Sequence, residues 1–528
     1  MLLLGDILRR QAQRRGDQTA YVLGSHRVSY AAFHARSNQL GRALRRLGVR
    51  RGDRVAVLAN NCAEYPIIYF AALKLGAIVV PVNARFGEME VAALLEHCEA
   101  ATLVESGQFT SMIDALQAAG RLVCLRHRIV IDAEAPSGGH RLSTVADAED
   151  SADIDADIDE DDPHVMLYTS GTTGAPKGTL LTHRAYFLQA TTSHLQLGFS
   201  EDDTALSMFP MFHMGGWALP LGFWHTGATV VIMAKAEPRA ILQAVQDERV
   251  TYLYAVPTVF ESMLAVPEFE QFDLSSVRLI GGGTAAMTAA QVRRFKERFR
   301  CRNMVILYGS TESGPVSVLR PADVERKPET VGRPYLDVEL RLLDNDREVP
   351  PGEIGEIHVR SEFIMQGYWR NPEETARTIR GGWVRTGDLG VFDSEGFLSI
   401  VGRCKEVIRS GGESIFPAEI ERVLLSHPQV SEAGVVGIPD PKWGEAVVAA
   451  VVLHTGSQLS AGDLIEYVRG VLAGFKKPKH VLFFSEMPRT AASRQIHKPL
   501  LRELVLERLT PEENATRFAS PSGSEPGN

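Results

Sequence analysis

The sequence predicts an α/β protein: a large N-terminal domain of α/β subdomains with parallel sheets, followed by a small α+β C-terminal domain. Three observations carry this expectation. The chain has 528 residues, too many for one ordinary hydrophobic core. Its first part alternates helical and strand-like patterns. Its character changes near 399–403. In order, VSYAAFHARSNQLGRALRRLGV (28–49) places Phe33, Leu40, Leu44 and Leu47 at helical spacing, with arginines between them. DRVAVLAN (53–60) reads as a buried strand, YPIIYFAALKLG (65–76) as a helix and AIVVPVN (77–83) as a second strand. Strand, helix and strand at that spacing argue for parallel pairing. DAEDSADIDADIDEDDP (147–163) is nearly all acidic and is expected to be a solvated loop, with no metal role. Turn signals at Gly381, Gly382 and 393–396 precede a compact run of alternating strands and helices. The domain boundary is therefore set at 401/402, giving domains 1–401 and 402–509. The polar, Pro-, Gly- and Ser-rich tail 510–528 is expected to be disordered. No internal repeat is found.

Composition excludes several classes. Hydrophobic residues at 45% and charged residues at 23% fit a soluble globular enzyme. A net charge of -9 argues against nucleic acid as a partner. The five cysteines, Cys62, Cys98, Cys124, Cys301 and Cys404, form no CxxC pair. A disulfide framework or zinc site is not expected, and a reducing cytoplasm fits. MLLLGDILRR is too short an apolar run for a signal peptide and is broken by Asp6, and no run reaches membrane-spanning length.

The strongest chemical signal is YTSGTTGAPKGTLLTH (168–183), which follows the apolar strand HVMLY. Glycines let backbone amides approach phosphate oxygens closely, and small hydroxyls add donors. The string is not a Walker loop, because Pro176 precedes Lys177 and Gly178 follows it. It resembles the phosphate-binding loop of the adenylate-forming superfamily, which includes acyl-CoA synthetases, luciferases and peptide-synthetase adenylation domains. The resemblance implies phosphate binding by Ser170, Gly171, Thr172 and Thr173, with Thr169 and Lys177 in the catalytic set.

Further segments match in the family's order. LYGSTES (307–313) is similar to its Tyr-Gly-x-Thr-Glu motif. By that likeness Tyr308 lies against adenine, with Gly309 beside it. Thr311 contacts the α-phosphate, and Glu312, with Thr172, holds Mg²⁺. An aromatic face suits a base, and a carboxylate is a hard ligand for magnesium. IGGGTAAM (280–287) resembles the strand end that passes under adenine, which implicates Gly282, Gly283 and Thr284. Asp388 in VRTGDLG matches the ribose-binding aspartate. GRCKEVIRSGGESIFPAEIE (402–421) resembles the hinge and swinging loop. Arg403 would reach ribose and phosphate, and Lys405 stands at the hinge. Gly411 and Gly412 belong to the loop that swings inward for the thiol of CoA, so the small domain is expected to be mobile. Cys404 reads as an unremarkable thiol.

Other segments point to the acyl-CoA ligase branch. MFPMFHMGG (208–216) sets His213 where that branch lines the acyl pocket. PDPKWGE (439–445) and FKKPKH (475–480) resemble its C-terminal segments, whose lysines serve either CoA phosphates or a solvated surface. TYLYAVPTVF (251–260), with Trp217, suggests an apolar acid.

The last motif departs from the pattern. In PRTAASRQIHKPL (488–500) the family's catalytic lysine falls on Arg494 when counted from Thr490, and on Gln495 when counted back from Ile496. Ser493 replaces the usual glycine. Arginine keeps the charge in a larger planar group, whereas glutamine brings none. Loss of one such donor costs about 2.7–4 kcal/mol, or roughly 10²–10³ in rate. Arg494 or Lys498 substituting for the lysine is the competing expectation. The resemblance implies an acyl-CoA ligase that forms a thioester from an acyl-adenylate and CoA, with adenylation weak or absent. A complete ATP-dependent ligase, an enzyme loading a carrier protein, and a non-enzymatic sensor of the adenylate are the alternatives. The implied small molecules are ATP or the acyl-AMP, Mg²⁺, CoA and a carboxylic acid. A separate adenylating enzyme is implied on the first reading, and a homodimer is left open.

Overall fold

The computed structural model describes residues 2–169, 177–283, 287–490 and 495–509. The expected tail 510–528 lies outside the described residues. The chain divides into two compact units. The larger takes in Met1–Pro351, Ile357–Thr386 and Phe392–Ser399, and the smaller Gly352–Glu356, Gly387–Val391 and Ile400 onward.

Two large sheets organise the larger unit. In one, Arg54–Leu58 runs parallel between Ile78–Pro81 and Thr102–Glu105, with Val55 opposite both Val79 and Thr102. These strands are buried along almost their whole length, as expected for parallel strands covered on both faces. Pro163–Thr169 joins the sheet parallel to Ile78–Pro81, and Lys177–Thr182 returns antiparallel to it. Gly367–Tyr368 then pairs with Lys177–Thr182, Tyr368 opposite Thr179. In the other sheet Thr204–Ser207, Tyr252–Ala255, Leu279–Gly283 and Met304–Ser310 are parallel neighbours. Met304–Ser310 turns back into Gly314–Leu319. The expected helix is Tyr30–Arg46, capped by the Ser29 hydroxyl, which accepts from Ala32 N at 3.2 Å. Phe33, Leu40 and Leu44 are fully buried. Among the described residues no helix is long and apolar enough to cross a membrane.

Residues 148–162 of the acidic run form no helix or strand and are mostly exposed, as expected of a solvated loop, but they are also hydrogen-bonded as a strap along the helix Tyr30–Arg46. Asn38 Nδ2 donates to Ser151 O at 2.9 Å, and Arg42 donates to Ala152 O and Asp153 O at 3.2 and 3.1 Å. Arg46 pairs with Glu149 at 2.7 Å and Arg51 with Asp162 at 2.6 Å. Ile158 is buried. The arginines spaced along 42–51 supply the complementary charge, and the strap carries its own apolar anchor.

Beneath the strap lies Lys74, 8% exposed. Its Nζ donates to Asn38 Oδ1 at 2.7 Å and to His34 Nδ1 at 2.9 Å, and the His34 ring meets Asp153 at 2.7 Å. Burial brings the Lys74 pKa down from 10.5 to about 7. Between those values the unfolded chain binds the extra proton, so this group makes stability rise with pH across that window and adds a constant penalty below it. Urea melts at pH 7 and pH 9.5 on wild type and Lys74→Met test this. The stability difference, wild type minus variant, should increase at the higher pH; parallel pH slopes would contradict it.

The smaller unit is built on a long hairpin, Val430–Asp440 with Gly444–Leu453, extended by the parallel strand His480–Phe483. Both faces are covered. Val447, Ala449 and Val451 pack with Ile420, Leu424, Leu464 and Val468. Ala446, Val448 and Ala450 pack with Leu501 and Val505 of the helix Lys498–Arg508. The period of two assigns each residue to its layer, and coverage on both sides explains why the strand is apolar throughout.

Candidate active site

The hairpin Pro163–Thr169 and Lys177–Thr182 brackets the candidate phosphate loop, with Thr169 opposite Lys177. Ser170, Gly171, Thr172 and Thr173 lie outside the described residues, as do Thr284 and Arg494. Lys177 ion-pairs with Glu374, and its Nζ stands 5.2 Å from the centre of the Tyr368 ring. Glu374 sits in the first turn of the helix Pro372–Thr378, where the Asn371 side chain accepts from its amide at 3.1 Å. The Tyr368 hydroxyl donates to Glu312 Oε1 at 3.1 Å. Burial, and then the charge of Glu312, pushes the Tyr368 pKa up, so the phenol keeps its proton and stays a donor.

Glu312 and Thr311 lie in the turn between Met304–Ser310 and Gly314–Leu319. The Ser310 and Ser313 hydroxyls meet across that turn at 2.9 Å, and Met365 N donates to Glu312 O at 2.8 Å. Glu312 is therefore held at both its carbonyl and its carboxylate by the segment 365–368. Tyr308 is half-buried just before the turn. At Gly309 an added Cβ would lie 2.4 Å from Gly314 O. At Gly283 it would lie 2.2 Å from the Tyr254 hydroxyl and 2.6 Å from Leu307 O, and at Gly282 2.2 Å from Met287 Cε. Backbone atoms at Gly283 and Gly309 demand glycine by packing alone, whereas at Gly282 the mobile end of Met287 could give way.

In the smaller unit, Asp388 is buried and Arg403 Nε lies 3.0 Å from its Oδ1. Lys405 is exposed in the turn Cys404–Glu406. Ile408–Ser410 and Glu413–Ile415 form a hairpin whose two loop residues, Gly411 and Gly412, have φ of +61° and +84°. Positive φ at both positions of a two-residue hairpin favours glycine. Gly411 N donates to Trp443 O at 2.8 Å. The two C-terminal segments meet: Asp440 accepts from the amides of Lys442 and Trp443 and pairs with Lys479 at 2.5 Å.

The last motif is a hairpin in its described parts. Thr490 N donates to Gln495 O and His497 N to Pro488 O, both at 2.8 Å. Arg489 pairs with Glu432 at 2.5 Å. Lys498 is committed to two carboxylates, Glu406 and Glu421, each at 2.9 Å. Burial opposes its charge, but Glu421 and then Glu406 outweigh that and raise its pKa.

The two expected pocket residues differ. His213 is half-buried and caps the helix Met214–Thr226, its Nδ1 accepting from Gly215 N at 3.2 Å. Burial lowers its pKa. Trp217 is fully buried, stacked on Tyr69 with ring centres 3.9 Å apart and edge-on to Trp224 and Phe70, within an aromatic cluster. Tyr368, Glu374, Glu406 and Glu421 were missed as functional candidates. The first two stand in GYWRNPEET, where they carried no signal of their own.

Among the described residues no group of three or more His, Cys, Asp or Glu side chains could hold a metal alone. A single carboxylate such as Glu312 fits Mg²⁺, which is commonly held by one or two carboxylates with substrate phosphates and water.

The sequence profile of the AMP-binding enzymes matches residues 8–369, and that of the AMP-binding enzyme C-terminal domain matches 419–494. A feruloyl-CoA synthase from Amycolatopsis sp is 37% identical over 490 residues, 92% of this chain and 96% of that protein. An indoleacetate–CoA ligase from Aromatoleum aromaticum is 37% identical over 510 residues, 95% of this chain and 98% of that protein. The crystal structure of the anthranilate CoA ligase AuaEII in complex with anthranoyl-AMP superposes with a TM-score of 0.87 at 30% identity, covering 95% of this chain and 97% of that one. The chain belongs to the AMP-binding enzymes, the adenylate-forming superfamily, among acyl-CoA ligase relatives.

If Tyr368 orients Glu312 for the nucleotide, Tyr368→Phe removes a hydrogen bond to a charged group, worth about 1.5–3 kcal/mol. Calorimetric affinity for ATP with Mg²⁺ should fall by roughly 10- to 100-fold. Unchanged affinity would remove Tyr368 from the site.

Proposed function

We propose that this AMP-forming acyl-CoA synthetase acts on an apolar, aryl-bearing carboxylic acid, and that adenylation is its weak half-reaction. The observation that carries the second part is the engagement of Lys498 with Glu406 and Glu421. The lysine nearest the last motif is occupied within its own unit, and Gln495 brings no charge. The aryl preference rests on the acids in the names of the relatives and on the apolar segment 251–260.

On this reading Tyr308, Gly282 and Gly283 hold adenine, and Asp388 and Arg403 hold ribose. Lys177 and Thr169 serve the phosphates, Glu312 takes Mg²⁺, and His213 faces the acid. Residues 402–509 rotate about Lys405, bringing Gly411 and Gly412 inward so that the thiol of CoA attacks the acyl carbonyl and AMP departs. The thioester half needs none of the last-motif charge, because that loop has rotated away. A separate adenylating enzyme would supply the intermediate in a cytoplasmic setting. The second reading, a complete two-step ligase, is favoured by relatives named as whole synthases that match over nearly the entire chain.

ATP–pyrophosphate exchange separates the two. Gln495→Lys or Arg494→Lys, each also tested with one residue deleted from 491–494, should raise exchange by up to roughly 10²–10³. If none of the variants exceeds wild type on an accepted acid, the missing lysine is not the cause. Dependence of turnover on free CoA distinguishes a ligase from a carrier-protein loader.

A further inference from the structure

Lys498 opens the helix Lys498–Arg508, which is fastened to the small unit's sheet through the fully buried Leu501 and Val505. Its side chain leaves the helix for Glu421 and Glu406. Glu421, on the helix Pro417–Leu425, is itself fixed, since its Oε1 accepts from Val435 N at 2.7 Å on the edge strand Val430–Asp440. Glu406 ends the turn Cys404–Glu406 and directly follows Lys405. Directly before Lys498 comes the hairpin that brackets residues 491–494, closed by His497 N to Pro488 O. Lys498 is thus where the sheet, the last-motif hairpin and the turn after the hinge meet. Its side chain is 18% exposed, and those of Glu421 and Glu406 are 17% and 32% exposed. The cluster is therefore only partly screened by water.

We infer that Lys498 is a positioning residue, clamping the hinge turn 404–406 to the sheet through Glu406 and Glu421, so that the hinge turn and the last-motif segments 488–490 and 495–497 move as one body. It does not stand in for the missing lysine. The inference rests on the proposed hinge at Lys405 and extends it, naming what holds the small-unit side of that hinge rigid. The chemistry favours the role. An ammonium between two carboxylates cancels their repulsion, and its removal leaves two like charges facing each other in a partly dry site. Because Glu421 stands on the helix Pro417–Leu425 and is tied to the sheet through Val435 N, the freed element is the turn.

The test uses the full chain, with Lys498→Met, Glu406→Gln and the double variant. Arg403 and Lys405 are exposed trypsin sites in and beside the turn. Each single variant should speed trypsin cleavage there by about tenfold relative to other sites, and the double variant should be no faster than either single. Pyrophosphate exchange and thioester formation from a preformed adenylate should fall by similar factors. Unchanged cleavage in both singles overturns the clamp. So does loss of exchange alone in Lys498→Met with Glu406→Gln at wild-type rates, since Lys498 would then act on the substrate directly. If Lys498→Met does not fold, Glu406→Gln and Glu421→Gln give the same two readouts. Absence of thioester from every adenylate in wild type sinks the proposed function, while the proteolysis still decides the clamp.

Discussion

Lys498 Nζ lies 2.9 Å from each of two carboxylates, and around that point the functional segments of the small unit are arranged. Glu421 ties it to the sheet and Glu406 to the turn after Lys405. The chain just before it forms the hairpin of the last motif. Removing one partner of a fully buried charge pair costs about 3–5 kcal/mol, mostly because the survivor is stranded. A lysine held this way is a poor candidate for donating charge elsewhere. The constraint therefore bears on both geometry and chemistry.

The larger unit rests on a different device. Two sheets end in hairpins whose residues carry the candidate nucleotide contacts, and Tyr368 joins them. Its ring lies under Lys177 from one sheet and its hydroxyl binds Glu312 from the other. The position of Glu312 is thereby coupled to the strand that follows residues 170–176. The glycines at 283 and 309 allow backbone to pack against those strand ends at distances that leave no room for a Cβ.

Much of this was legible in the sequence, for physical reasons. Hydrophobic periodicity marked the helix Tyr30–Arg46, and continuous apolar runs marked the parallel strands, because burial on both faces leaves no alternative composition. The two-residue turn at Gly411 and Gly412 was not named from the sequence, although paired glycines suit it, since few other residues tolerate positive φ at both positions. What sequence could not reveal was partnership across long separations. The anchoring of the acidic run 147–163 was not legible because its complement, the arginines at 42–51, lies about a hundred residues away. The packing of Trp217 against Tyr69, Phe70 and Trp224 was not legible because composition does not fix which side of a helix faces the core. Lys498 read as a spare cation because Glu406 and Glu421 stand far from it in sequence. Tyr368 and Glu374 carried no signal of their own in the sequence, although folding places them beside Lys177 and Glu312.

The two halves of the proposed reaction differ in what they ask of the last motif, so measuring them separately is the most direct test. One arm gives the protein an aryl carboxylic acid with ATP, Mg²⁺ and CoA; the other gives the matching synthetic acyl-adenylate with CoA alone. Acyl-CoA is followed by mass spectrometry. The account predicts thioester from the adenylate at a rate exceeding the complete reaction by about 10² or more. Equal rates in the two arms would contradict it and identify a complete ligase in which Arg494 or a neighbour supplies the missing charge.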